Sequence, residues 1–112
     1  MKKGTPILAL LFALLALAGC SSTPEPVAAP GPLVLRLSVD QPSPERVEAA
    51  RGQAVELTVT SEEPVDVHVH GFDVLGWAEH DKPAVLRFTA DRTGTFEVEA
   101  HPDTLLVQLV VR

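Results

Sequence analysis

Val65-Asp66-Val67-His68-Val69-His70 alternates apolar and polar residues without a break. Successive side chains of a β-strand point to opposite faces, so this period of two predicts a half-buried strand. Val65, Val67 and Val69 form its inward set, which turns His68 and His70 outward. The same pattern recurs on both sides. Leu33, Leu35, Leu37 and Val39 share one face of a strand, and Val55, Leu57 and Val59 share one face of another. Ala84–Ala90, with Val85, Leu86 and Phe88, reads as a strand, as do Thr95–Ala100, with Phe96, Val98 and Ala100 inward, and Leu105–Arg112. Gly71–Trp77 holds another short strand, with Trp77 expected to be partly buried near one end. Arg46–Ala50 reads as a short strand or a turn of helix, within a weak helical spacing over Glu45–Gln53. Breakers separate these runs: Gln41–Pro44, Arg51–Gln53, Ser61–Pro64, the loop Glu79–Pro83, and Asp91–Gly94. Short strands with turn signals about every 8–12 residues predict an all-β sandwich or barrel of 7–8 strands. Clean alternation implies that each sheet covers the core with one face only.

A chain of 112 residues with 46% hydrophobic residues suits one small domain. Tyr is absent and Phe and Trp are few, so Val, Leu and Ala must build the core. Acids outnumber bases by 15 to 9, and loss of Lys2 and Lys3 with a leader would take the formal net charge from −6 to −8. That balance argues against nucleic acid as a partner, because phosphate binding needs a basic face. Cys20 is the only cysteine, which excludes an internal disulfide, an iron–sulfur cluster and a cysteine-rich zinc site.

The N-terminus reads as an address. Lys2 and Lys3 precede an apolar run, Pro6–Leu17, that is short for a membrane span of about 20 residues but suits a signal-peptide core. Leu17-Ala18-Gly19-Cys20 then resembles the bacterial lipobox at all four positions. The resemblance implies a lipoprotein signal peptide over 1–19, cleavage before Cys20, and acyl chains (palmitate among them) on that residue. Several chains give stable membrane anchoring where one would bind marginally. Ser21 resembles the residue that sorts lipoproteins to an outer membrane, where the host has one. Residues 20–32 form the lipidated cysteine and a tether with four prolines in Ser21–Pro32, which favours an extended chain. At ~3.1 Å per residue the tether reaches roughly 35–40 Å from the bilayer. The expected location is the cell envelope, lipid-anchored and facing the periplasm or exterior.

Over 33–112 the order of elements resembles a cupredoxin. The resemblance rests on Arg51-Gly52-Gln53-Ala54-Val55 before a strand, Asp66-Val67-His68-Val69-His70-Gly71-Phe72, Leu86–Ala90, Asp91-Arg92-Thr93-Gly94-Thr95-Phe96, and the closing Val107–Val111. It implies a Greek-key β-sandwich. In that family an upstream His and a later Cys-His-Met group hold one copper. His70 best matches the upstream histidine, whereas the cysteine position falls near Ala100, His101 follows at once, and no Met is present beyond Met1. A blue-copper site needs a thiolate, two imidazoles and usually a weak axial group, so that chemistry is excluded.

Three histidines nevertheless form a candidate metal set: His68 and His70 on one strand face, and His101 on the outward face of the Phe96–Ala100 strand beside Glu97 and Glu99. Imidazoles suit Cu(II) and Zn(II). The bland reading is a solvated face with His–Glu contacts, unless a bulge near Gly71 turns His70 into the sandwich end. His80, between Glu79 and Asp81, reads as a surface loop residue. No nucleophile–base arrangement, phosphate loop or carboxylate pair points to an enzyme. Two functions fit: a copper-holding envelope module without blue-copper electron transfer, or a metal-free degenerate cupredoxin acting as an interaction or accessory module for an envelope protein. If the lipobox is used, Cys20→Ser will move the protein out of the membrane fraction; a variant that still fractionates with membranes would remove the anchor.

Overall fold

The computed structural model describes residues 3–4, 18–20 and 30–112. Most of the expected signal peptide and tether therefore lies outside the described residues; Cys20 is exposed. The domain holds eight strands: β1 (Leu33–Ser38), β2 (Glu45–Ala49), β3 (Ala54–Thr60), β4 (Val65–Val69), β5 (Val74–Ala78), β6 (Ala84–Thr89), β7 (Gly94–Ala100) and β8 (Thr104–Val111). They form a three-stranded sheet, β1-β3-β6, and a five-stranded sheet, β2-β8-β7-β4-β5. Pairs β1–β3 and β2–β8 are parallel and the others antiparallel. The fold is an all-β Greek-key sandwich.

Between the sheets lies the core that the alternation predicts. Val55, Leu57 and Val59 of β3 and Leu86 of β6 face Val67, Val69, Val98, Val107 and Leu109 of the larger sheet, and all are buried. Burying such a side chain contributes about 1.5–3 kcal/mol, so this set sustains the sandwich without disulfides. The segment around Glu45 is strand, not helix: β2 lines up beside β8, and that sheet partner outweighs a weak helical spacing. Glu79–Pro83 begins as a tight turn, closed by Glu79 and Lys82 exchanging backbone hydrogen bonds of 3.0 and 2.9 Å. A register shift at Val98/Glu99 leaves Leu106 of β8 unpaired, and the bulge turns both Leu106 and Val107 inward.

Phe72, Phe88 and Phe96 gather beside Gly71. Phe72 packs on Phe88 and Phe96, with ring centroids 4.9 and 4.6 Å apart, and Arg92 lies 5.4 Å from the Phe72 centroid. Trp77 is not among them: it is 55% exposed on edge strand β5, against the partial burial expected. Its strand partner is Asp66 on the outward face of β4, so parity sends it to solvent.

Of the three positive-φ glycines among the described residues, Gly52 and Gly71 have contrasting surroundings. Gly52 (φ 88°) has open space where a side chain would go, whereas a Cβ at Gly71 (φ 86°) would lie 2.7 Å from Phe96 Cε1. Gly52→Ala should therefore cost about 1–2 kcal/mol from backbone strain alone. Gly71→Ala should add about 1–3 kcal/mol of overpacking against the ring. Urea midpoints check the order; equal losses would remove the role of Phe96.

Candidate functional site

Strand β4 lies between β5 and β7 in the larger sheet. Val67 and Val69 are fully buried, which turns Asp66, His68 and His70 to the outer face. On β7, Val98 and Ala100 are buried, so Glu97, Glu99 and His101 share that outer face. The register sets His68 opposite Glu99 on one side and opposite Leu75 on the other. His70 N–H donates to the Glu97 carbonyl (2.9 Å) and His101 N–H to the Asp66 carbonyl (2.9 Å), which extends the ladder at both ends.

This register separates the expected trio. His68 and His70 converge, with ring centroids 4.3 Å apart and planes tilted by 47°. His101 instead lies opposite Asp66, four positions along β4 from His70, or roughly 13 Å at ~3.3 Å per residue. Neither does a bulge near Gly71 turn His70 inward; the irregularity lies between β7 and β8, and the His70 side chain is 48% exposed. Among the described residues, no group of three or more His, Cys, Asp or Glu is arranged to hold a metal ion.

Sequence reading did not single out the particular role of Glu99. Its Oε2 lies 3.1 Å from His70 Nε2. An ionised carboxylate only accepts, so Nε2 carries the proton and Nδ1 of the neutral ring keeps its lone pair. Metal-binding imidazoles commonly donate their other N–H to a carboxylate in this way. The sequence signal was the i, i+2 pair on one strand and Glu99 on the next; the register joining them was not readable. His80 differs. Its Nδ1 lies 2.6 Å from Glu62 Oε2 and its Nε2 3.2 Å from Asp81 Oδ2, so both ring nitrogens already face carboxylates of exposed loop residues.

A blue-copper centre does not fit these residues. Residue 100 is a fully buried alanine paired with Val67, on the opposite face from His70 and three positions away. The β7–β8 connection is only His101–Asp103. Restoring sulfur therefore should not restore the centre: Ala100→Cys with Cu(II) is expected to show no intense thiolate-to-copper band. Such a band in the visible spectrum would overturn this account of the misfit.

No protein-family model matches the chain, and no curated protein matches it in sequence. Solved structures do match in fold. One is auracyanin A, a "blue" copper protein from the green thermophilic photosynthetic bacterium Chloroflexus aurantiacus. It has a TM-score of 0.54 and 15% identity, over 73% of this chain and 100% of that one. Another is a chain of a heme-copper terminal oxidase dimer, with a TM-score of 0.52 and 16% identity, over 71% of this chain and 65% of that one. The present chain thus spans just under two thirds of the oxidase chain. The eight strands in two mixed sheets take a cupredoxin-like fold, similar to that of auracyanin A.

Proposed function

We propose that this protein is a lipid-anchored envelope protein whose cupredoxin-like domain holds a divalent ion, Cu(II) foremost, on the outer face of β4, without blue-copper electron transfer. One observation carries the reading: the His68 and His70 rings converge to 4.3 Å on a solvent-facing strand while Glu99 accepts a hydrogen bond from His70 Nε2–H. Two imidazoles in reach of one point are a chelating pair for Cu(II) or Zn(II). Glu99 orients one of them. The lipobox and the acidic balance support an anchored, solvated module facing the periplasm or exterior. Catalysis forms no part of the proposal.

A second reading has its own support. Leu75 is 70% and Trp77 55% exposed on edge strand β5, and exposed apolar side chains at a sheet edge suit contact with an envelope protein partner.

Trp77 is the only tryptophan, which makes it a built-in reporter two strands' width or less from the pair. Cu(II) titration should quench its fluorescence saturably at micromolar concentrations. His70→Ala and His68→Ala should abolish the saturable phase, and Glu99→Gln should weaken it about 10- to 100-fold. His101→Ala should matter less, and His80→Ala little. A parent protein that binds no copper in equilibrium dialysis would leave the interaction-module reading standing.

A further inference from the structure

A metal held by His68 and His70 has too few protein ligands. Glu99 is engaged at His70 Nε2, His101 is opposite Asp66, and no third ligating group of the described residues joins the pair. Zn(II) takes four ligands in a tetrahedron and Cu(II) about four in a tetragonal plane. Two positions therefore stay open, and the pair stands on an outward sheet face where none of the described residues supplies a further ligand.

We infer that a second copy of this chain completes the site, each copy giving His68 and His70 to one shared ion. The inference rests on the metal site proposed above. Two further features of the same face fit a second copy. Leu75 is the direct cross-strand neighbour of His68, and Trp77 follows two residues on along β5, both among the most exposed large apolar side chains of the domain. A copy seated over the histidines would bury both. Aromatic and aliphatic anchors flanking a polar centre are what such an interface needs. Electrostatics set the condition. Asp66, Glu97 and Glu99 share the face, so two apo copies brought together oppose six carboxylates. A divalent cation between the histidine pairs offsets part of that repulsion, which makes association metal-dependent. The acidic balance of the whole chain works in the same direction, keeping apo copies apart.

Sharing has a distinctive stoichiometry. Dimer should rise to a maximum at half an equivalent of Cu(II) and fall again in excess copper, when each chain keeps its own ion. Native mass spectrometry of the full lipidated chain released from detergent, titrated with Cu(II), reads this directly. Electron paramagnetic resonance at half an equivalent should report about four equatorial nitrogens, and about two in excess copper. Chelation should return monomer. His68→Ala and His70→Ala should abolish the dimer, and Leu75→Ser should weaken it about tenfold or more while one-to-one binding persists. A monomer carrying one Cu(II) at every ratio, with two nitrogens, would sink the shared site and leave the single-chain site intact. No copper bound at any ratio would remove the site itself, and the dimer with it.

Discussion

The register of β4 against β7 is the constraint on which the rest depends. With period two, Val67 and Val69 enter the core only if His68 and His70 leave it. A slip of one residue would expose both valines, at about 1.5–3 kcal/mol each, and would bury two imidazoles without partners. Both terms oppose the slip, so the histidines' outward position follows from the packing of their neighbours. The same register sets Glu99 against His68 and within 3.1 Å of His70, and it carries His101 past the pair to Asp66. One alignment of two strands thus decides which polar groups meet.

It also explains why the fold and the blue-copper centre part company. The sandwich needs apolar side chains at the inward positions, and Ala100 meets that need against Val67. A copper centre of that type would need a thiolate there and an imidazole on the same side of the sheet. Here the imidazoles are on the far side, and the sandwich end beside Gly71 is filled by Phe72, Phe88 and Phe96. The small residue at 71 admits the Phe96 ring, and the half-buried aromatic stack covers that end. The fold is that of a cupredoxin while its interior is packed as ordinary core.

What chemistry remains lies on the surface, where water screens charge. The exposed pairs Arg87–Glu56 and Arg112–Glu48 add little stability by themselves. The outer face near β5 and β4 carries acids, imidazoles and two apolar side chains with no Lys or Arg on β4, β5 or β7. Such a face repels its own kind when bare and attracts cations. Domain stability is therefore set in the core, and this outer sheet surface contributes little to it.

The sequence by itself determined the strands, their inward faces and the absence of a thiolate from the domain. Val65–His70, Ala54–Thr60 and Thr95–Ala100 alternate so cleanly that burial follows from position, because side-chain direction in a strand is a local property of the backbone. The resemblance to a lipobox at Leu17–Cys20 is equally local. Where local signals were weak, the neighbour decided: Glu45–Ala49 became strand because β8 offered a ladder, and Trp77 went to solvent because its face of β5 continues that of Asp66. The candidate site was half legible. The pairing of His68 with His70 is written in their spacing, but Glu99 reaches His70 and His101 misses it through the β4–β7 register. Only the tertiary structure sets that register, because it depends on how residues about 30 apart in the chain share one core, and no local pattern encodes the offset between two strands.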